Sequence, residues 1–258
     1  MISRIASLVA PEADETVVEI GAGLGLLTAE LAKKAGRVIA LEIDPRLITV
    51  LRDRFTGDKR VQVVAGDVMV YDFFSASPGT RTKVVGNIPY YISTPILFRL
   101  IKYRRAIKSM VLMFQQELAD RIMASPGTKE YGIPSVIIAR YTGITRRMTV
   151  PPTCFYPVPD VVSSVLSFVI YEDEMTQKEE SIFSATVRSA FSHRRKTLWN
   201  NLRAAGFAGD LLEQVMKKTG ITGSRRAETL TVGEFRLLAT ELAAIGGTEK
   251  FLDKWLNV

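Results

Sequence analysis

Short β-branched segments alternate with helical patterns over the first 170 residues, and this alternation limits the possible fold more than any other feature of the sequence. The segments are VVEI (17–20), RVIALEI (37–43), VQVVAGD (61–67), KVVGN (83–87) and SMVLMF (109–114). They alternate with helical patterns and lack a strict alternation of polar and apolar residues, which is typical of parallel strands covered by helices on both faces. The sequence therefore predicts an α/β fold with a parallel sheet, preceded by an amphipathic helix that ends before Pro11.

The pattern changes after Tyr171, where the charged segment YEDEMTQKEE is followed by helical periodicity alone. Before it, the runs 145–150 and 163–170 could add edge strands to the sheet. We predict two domains, one with the sheet at 1–172 and a small all-helical one at 173–258. Its helices are expected at roughly 180–191, 194–204, 209–218, 231–244 and 248–256.

Composition narrows the possible partners. A net charge of +7 suits a polyanion such as a nucleic acid. The single cysteine, Cys154, and the single histidine, His193, form no set of soft ligands, so we expect no metal site and a reducing compartment. The sequence contains no apolar stretch long enough for a membrane span and no signal-peptide pattern at its start, so a cytoplasmic protein that binds no membrane is expected.

The first chemical signal is EIGAGLG, where a predicted strand ends and glycines follow at positions 21, 23 and 25. Glycines at a strand-to-helix turn let a ligand approach the backbone closely. The spacing G-x-G-x-G differs from the G-x-G-x-x-G of dinucleotide binders, and Glu19 would repel phosphate but attract a cationic ligand. A structural tight turn is the alternative interpretation.

Two more acidic residues follow the next predicted strands. Glu42 lies about twenty residues beyond the glycines, where a carboxylate can accept from both ribose hydroxyls, and Asp67 could accept from an adenine amino group. Each residue alone could be an ordinary strand-end or turn residue. Together with Glu19, they predict a ligand with an adenosine end and a cationic amino-acid end, which describes S-adenosyl-L-methionine better than NAD.

The segment NIPYY follows the fourth predicted strand and reaches the same edge of the sheet. Asn87 can accept a hydrogen bond from an exocyclic amine, Pro89 fixes the loop, and Tyr90 offers a face for stacking a base. A second acceptor, the Ile88 carbonyl, would help to make adenine N6 tetrahedral and nucleophilic, so no dedicated general base is needed. A plain strand-ending turn is the alternative.

The motifs EIGAGLG, LEID, AGD and NIPYYISTP resemble those of class I S-adenosylmethionine methyltransferases that modify adenine N6. The later segments QQELADRI, KEYGIPSV, VPPTCFYPVPDVVSSV, AFSHRRKTLWNNL and RRAETLTVGEF resemble the KsgA (RsmA) family of small-subunit rRNA adenine dimethyltransferases, over nearly the whole chain. The resemblance implies a Rossmann-like sheet with a helical C-terminal domain. It also implies dimethylation at N6 of two adjacent adenosines near the 3′ end of 16S rRNA, in the immature small ribosomal subunit.

The resemblance also implies roles for individual residues. Phe155, in a loop stiffened by Pro151, Pro152, Pro157 and Pro159, would pack on the target adenine opposite Tyr90; a core aromatic is the alternative. Catalytic positions are expected at Asn87, Pro89, Tyr90 and Phe155, and cofactor contacts at Glu19, Gly21, Gly23, Glu42, Asp67, Val68 and Asn87.

Basic side chains should mark the RNA path by contacting phosphates. The HRRK cluster is predicted at a helix start, where its charges oppose the helix dipole and call for an anionic partner. For any single arginine a solvated surface position is an equally good interpretation. The RNA-binding candidates are Arg194, Arg195 and Lys196, with Arg146, Arg147, Arg225 and Arg226.

Relatives in the family usually begin with a basic stretch and a GQ-(N/H)-FL segment. The sequence starts beyond that point, so we expect a more open pocket with a weaker grip on the cofactor. The alternatives are a large-subunit rRNA methyltransferase of the Erm group, an assembly factor that acts mainly by binding, and a nicotinamide-dependent dehydrogenase, which the glycine spacing disfavours. We expect a monomer.

Overall fold

The structure is a computed structural model that describes residues 1–156, 158–172 and 175–245. Pro157 and the helix predicted at 248–256 lie outside these residues. The chain forms two compact units, the first from 1–119 with 142–171, and the second from 120–141 with the residues from 172 onward. Over the described ranges, no helix is both long and apolar enough to cross a membrane.

The first unit contains the sheet, and its described strands run in the order β3-β2-β1-β4-β5-β7-β6. The first five strands are parallel, and β7 is antiparallel to both β5 and β6. The predicted α/β sheet is thus confirmed, with an antiparallel pair added at one side. The strands are β1 Thr16–Ile20, β2 Arg37–Glu42, β3 Val61–Ala65, β4 Thr82–Asn87, β5 Ile107–Gln115, β6 Thr142–Val150 and β7 Ser163–Ile170.

Helices accompany the sheet, and the amphipathic helix predicted at the start of the sequence is α1. Its Ile5 and Val9 are buried in a core that also contains Val17 of β1 and Val38 of β2. Burying these apolar side chains removes them from water and stabilises the unit. The helices are α1 Ile2–Val9, α2 Leu26–Leu31, α3 Pro45–Arg54 and α4 Ser93–Lys102; α5 Gln116–Ile122 begins in the first unit.

One of the two predicted edge strands is not at an edge. Strand β7 lies between β5 and β6, so Ser163 pairs with both Gln115 and Val150. The first four residues of β7 are buried, as expected for a strand with neighbours on both sides. Of these two strands, β6 alone is at an edge of the described sheet, and its register shifts between Arg146 and Met148.

The second unit is built from helices, and its core contains Phe183, Leu202, Phe235 and Leu238, all fully buried. A capping box between Thr176 and Glu179 starts the first helix after the charged segment. The helices are α6 Ile133–Tyr141, α7 Gln177–Ala190, α8 Leu198–Ala205, α9 Gly209–Thr219 and α10 Val232–Ile245.

Residues 120–141 belong to this helical unit rather than to the sheet domain in which the sequence analysis placed them. Helix α6 has almost no polar face and buries most of its residues, so it requires helical neighbours. The preceding Tyr131 donates a hydrogen bond to the Leu230 carbonyl at 2.8 Å and packs its ring edge-on against Phe191. These contacts join the segment to residues that lie far along the chain.

The HRRK cluster lies in a loop, so the helix predicted from residue 194 was wrong in its start. Thr197 is the N-cap of α8, and its hydroxyl accepts a hydrogen bond from the Asn200 N–H at 3.3 Å. A capping threonine fixes the first turn after itself. The exposed loop Ser192–Lys196 therefore precedes the helix, and its charges do not stand in the first helical turn.

Candidate active site

The carboxyl ends of four neighbouring parallel strands place the predicted site residues along one edge of the sheet. In register, Ile20 of β1 lies between Leu41 of β2 and Gly86 of β4, and Glu42 pairs with Ala65 of β3. The predicted site residues therefore lie side by side along this edge, in the order of the strands β3, β2, β1 and β4: Asp67, Glu42, the glycine turn and Asn87. Open α/β sheets bind ligands at this edge.

The glycine turn leaves its backbone accessible on the ligand side. Gly21 and Gly23 have φ of 68° and 59°, a left-handed conformation that favours glycine. A Cβ added to Gly21 would approach only the Asn87 carbonyl, at 3.9 Å, and one added to Gly23 would be 4.0 Å from the Gly21 carbonyl. Gly25 differs, because its Cβ would lie 2.7 Å from the Phe55 ring and 2.8 Å from Leu51. Two glycines thus form an open cradle, and the third is required by packing on α3.

Glu42 is buried and holds the turns around it together. Its Oε2 accepts from the Gly23 N–H at 2.9 Å, and its Oε1 accepts from the N–H groups of Ile43 and Asp44 at 2.8 and 3.0 Å. A carboxylate has about four acceptor positions, and three are used by the backbone. The geometry leaves room for about one ligand hydroxyl, rather than the two expected from the sequence.

Asp67 presents one free carboxylate oxygen at the end of β3. Its Oδ1 accepts from the Met69 N–H at 2.8 Å, and Oδ2 has no hydrogen bond within the described part of the chain. The neighbouring Val68 is buried. An acceptor next to an apolar side chain suits the edge and face of an adenine ring.

Arg99 of α4 fixes the loop that carries Asp67 and Val68, a role that was not predicted from the sequence. Its Nε donates to the Val68 carbonyl and its Nη2 to the Tyr71 carbonyl, both at 2.8 Å. The planar guanidinium can serve two carbonyls at once. An isolated arginine within a helix gives no signal of this role in the sequence.

Glu19 occupies the end of β1 but does not present a charge there. The side chain is 3% exposed, and its Oε2 accepts from the Thr28 hydroxyl of α2 at 2.5 Å. Burial raises its pKa, the Thr28 hydrogen bond lowers it and the charge of Glu42 raises it, for a result of about 8. Glu19 is therefore mostly protonated at neutral pH. Its predicted attraction for a cationic ligand required a charged carboxylate, so that prediction was wrong.

The NIPYY segment offers two acceptors at the end of β4. Asn87 is exposed, and its side-chain amide has no hydrogen bond among the described residues. The Ile88 N–H donates to the Met113 carbonyl of β5 at 3.1 Å, which holds the loop while the Ile88 carbonyl accepts nothing within the same part of the chain. The loop then turns at Pro89, whose carbonyl accepts from the Ser93 hydroxyl at 2.9 Å.

The two aromatic residues predicted to hold a base differ in their surroundings. Tyr90 is partly exposed, and its hydroxyl forms a hydrogen bond of 2.7 Å with Ser163. Phe155 is partly buried and packs against the core that contains Val150 and Val165. Phe155 is therefore in part a core aromatic residue. A base could contact only the part of its surface that stays exposed.

Three of the predicted RNA-binding side chains are already partly engaged by the protein. Arg225 forms an ion pair with Glu234 and donates to the Thr229 carbonyl at 2.6 Å. Arg194 donates to the Lys129 carbonyl and lies 3.5 Å from Glu228. Arg147 donates to the Ser167 hydroxyl at 3.2 Å. Arg146, on the same edge strand, is half-buried.

The remaining basic candidates are exposed. Arg195 and Lys196 lie in the loop between α7 and α8, and Arg226 follows the ion-paired Arg225. The buried Asn201 holds this loop by donating to the Ala190 and His193 carbonyls at 2.6 and 3.1 Å. The exposed cations are therefore displayed on a fixed backbone. No group of three potential metal-ligating residues occurs in the ranges that the structure describes.

Comparison with known proteins shows similarity over almost the entire chain. The sequence model of the family "Ribosomal RNA adenine dimethylase" matches residues 1–244. A "Ribosomal RNA small subunit methyltransferase A" from Geobacter metallireducens is 43% identical over 253 residues, which cover 96% of this chain and 92% of the relative. A relative of the same name from Syntrophus aciditrophicus is 41% identical and covers 94% and 89%.

Two solved structures are similar along most of their length. A dimethyladenosine transferase from Plasmodium falciparum has a TM-score of 0.79 and 27% identity, with 92% of this chain and 93% of that chain covered. The 23S rRNA methyltransferase ErmE has a TM-score of 0.71 and 25% identity, with 93% and 96% covered.

Proposed function

The chain belongs to the ribosomal RNA adenine dimethylase family, and from this membership we propose that it dimethylates N6 of two adjacent adenosines near the 3′ end of 16S rRNA. It is an rRNA adenine dimethyltransferase, and its first unit has the Rossmann-like class I methyltransferase fold. Methyltransferases of this kind generally use S-adenosyl-L-methionine. The immature small ribosomal subunit is the proposed substrate particle, and we propose that the enzyme acts as a monomer in the cytoplasm.

The proposal that the substrate is the small rather than the large ribosomal subunit is supported by the sequence identities to relatives of each kind. Identity to a protein named as a small-subunit methyltransferase is 43%, whereas identity to the 23S rRNA methyltransferase is 25%. The chemistry is supported chiefly by one observation. Asn87 and the Ile88 carbonyl provide two unused acceptors beside the open glycine cradle.

The residues present fit the cofactor. The cradle at Gly21 and Gly23 leaves space that a Cβ would fill. Glu42 keeps about one acceptor position for a ribose hydroxyl, and Asp67 Oδ2 with the apolar Val68 suits the adenine ring. When bound, the cofactor supplies a methyl group attached to a positively charged sulfur.

The protein's own residues prepare the target nitrogen. The lone pair of adenine N6 is delocalised into the ring, which makes it a poor nucleophile. The Asn87 side-chain oxygen and the Ile88 carbonyl accept the two N6 hydrogens and favour a tetrahedral nitrogen with a directed lone pair. The new N6–carbon bond forms as the carbon–sulfur bond breaks, and positive charge develops on N6, where the same two oxygens stabilise it. The resulting ammonium is acidic and loses its proton to water. The acceleration then comes from positioning and electrostatics.

The target adenine must leave its base stack to reach these acceptors. Tyr90 and the exposed part of Phe155 supply replacement stacking of about 1 to 3 kcal/mol per base. Arg195, Lys196 and Arg226 bind RNA phosphates, which adds affinity without sequence selectivity. Arg146 is a candidate for an additional contact, as are the three arginines that the protein already engages in part, Arg147, Arg194 and Arg225.

The test is transfer of labelled methyl groups to under-methylated small subunits, large subunits and free RNA in parallel, followed by mapping of the modified nucleosides. We expect N6,N6-dimethyladenosine at two adjacent positions in the small-subunit RNA only. The variant Asn87→Ala should bind the same particles without methylating them. Methylation confined to large-subunit RNA would refute the proposed substrate.

A further inference from the structure

Tyr90 is connected to a distant strand through its hydroxyl group. The hydroxyl lies 2.7 Å from Oγ of Ser163, and either group can donate. Stacking on a base requires only an aromatic ring, which phenylalanine would also provide. The hydroxyl of Tyr90 is therefore not needed for stacking, and its contact with Ser163 indicates a separate purpose.

Ser163 is a rigid anchor. It is fully buried and is the first residue of β7. Its backbone pairs with Gln115 on one side and with Val150 on the other. A residue held between two strands does not move with an exposed loop. The hydrogen bond from Ser163 therefore keeps the Tyr90 hydroxyl at a fixed place beside the sheet.

The same anchor lies where the second aromatic loop begins. Val150 is the last residue of β6, and the chain continues from it through Pro151 towards Phe155. The pair formed by Val150 and Ser163 closes this loop at its base. Tyr90 is thus tied to the strand pair from which the Phe155 loop departs.

We propose that Ser163 is a positioning residue for methyl transfer, which holds the Tyr90 ring at the place where the target adenine stacks. The inference rests on the proposed function, because it assigns Tyr90 the role of stacking platform. A tyrosine side chain rotates about two bonds. A hydrogen bond to the hydroxyl oxygen restricts rotation about the first, which would swing the ring away from Ser163; the oxygen lies on the axis of the second, so this rotation stays free. Restricting the first rotation before RNA binds lowers the entropic cost of forming the reactive arrangement. Ser163 acts only through Tyr90 and does not touch the substrate.

The next residue provides a matched control. Ser164 is on the same strand and equally buried, but its hydroxyl has no hydrogen-bond partner among the described residues. Successive side chains of a strand point to opposite faces. Ser164→Ala therefore removes the same atom from the same strand without releasing Tyr90.

The experiment compares Ser163→Ala, Tyr90→Phe, their double variant and Ser164→Ala. Single-turnover methyl transfer to under-methylated small subunits measures the reaction, and titration of S-adenosyl-L-methionine measures cofactor binding. A short RNA with 2-aminopurine at the target position reports base stacking through fluorescence quenching.

We expect Ser163→Ala and Tyr90→Phe each to slow single-turnover transfer about three- to tenfold, the effect of losing one ordinary hydrogen bond. Both should quench 2-aminopurine less than the wild type, with unchanged cofactor affinity. The double variant should be no slower than either single variant, because all three lack the same bond. Ser164→Ala should match the wild type.

Wild-type rates and quenching in both single variants would overturn the inference, as would losses that multiply in the double variant. If Ser163→Ala does not fold, Tyr90→Phe decides alone, since it removes the same bond at a partly exposed residue. A wild-type enzyme that leaves small subunits unmethylated would refute the proposed function, and the inference with it. The two failures are therefore distinguishable.

Discussion

Replacing Glu19 by glutamine should make the sheet unit more stable than that of the wild type, by a difference in the free energy of unfolding that grows as the pH rises. The Glu19 side chain is 3% exposed, and burial, the largest influence, raises its pKa from 4.5 to about 8. The folded state therefore holds this proton more tightly than the unfolded state does. Its contribution to stability is complete below pH 4.5 and is lost as the pH rises towards 8.

The magnitude follows from the difference between the two pKa values. Each pKa unit corresponds to about 1.36 kcal/mol. Relative to low pH, where Glu19 is protonated in both the folded and the unfolded state, the free energy of unfolding of the wild type is lower by about 3 kcal/mol at pH 7 and by at most about 5 kcal/mol at pH 9. Glutamine does not titrate and keeps an oxygen for the Thr28 hydroxyl, so any other effect of the substitution is constant with pH. The stability difference between Glu19→Gln and wild type should grow by about 4 kcal/mol from pH 5 to pH 9.

Urea unfolding at several pH values measures this difference. Circular dichroism follows both units. The sequence has two tryptophans, so fluorescence is measured in a Trp255→Phe background, where Trp199 of α8 follows the helical unit as an internal reference. Glu117→Gln, an exposed glutamate of the same unit, is the matched control and should show a flat difference. A difference for Glu19→Gln that is equally flat from pH 5 to pH 9 would refute the assignment of a buried, protonated carboxyl group.

Three further variants, one of them a double substitution, test the site. Asn87→Ala should lower single-turnover methyl transfer about a hundredfold or more while RNA affinity, measured by filter binding, stays near that of the wild type, because an acceptor used in the transition state is lost. Glu42→Gln places an amide N–H₂ against backbone donors and should weaken cofactor binding in calorimetry about tenfold to a hundredfold; an unchanged affinity would contradict its role. Replacing Arg195 and Lys196 together by alanine should reduce the slope of log affinity for RNA against log salt by about 1.5, and a slope equal to that of the wild type would exclude them from phosphate contact.

The parallel part of the sheet could be predicted because its strands are short β-branched runs without strict polar alternation, followed by glycine, acidic or asparagine residues. The position of β7 could not. Its run 163–170 is as apolar as the inner strands, but a fold with β6 at the edge depends on pairing between residues that are far apart in sequence. Apolar periodicity predicts that a strand exists and does not predict its neighbours.

The site shows the same limit. The positions of Asn87, Glu42 and Asp67 follow from strand ends, which the sequence indicates well. The protonated state of Glu19 depends on its burial. The hydrogen bonds from Arg99 to the loop that carries Asp67 and Val68 depend on where a helix turn meets two carbonyls. Neither is encoded in local sequence. The start of α8 could have been predicted, since threonine is a standard capping residue and Thr197 is the N-cap. The prediction instead placed the helix start at residue 194, within the charged cluster.

The chain passes between its two units three times, after residues 119, 141 and 171. A fragment that stops at Tyr171 would keep α6 but lose α7 and α10, against which α6 packs. Val136, Ile137 and Ile138 would then face water, and such a fragment should precipitate or be recovered with chaperones. Separate expression of the catalytic sheet requires a short polar linker in place of residues 120–141, rather than a cut at the end of β7.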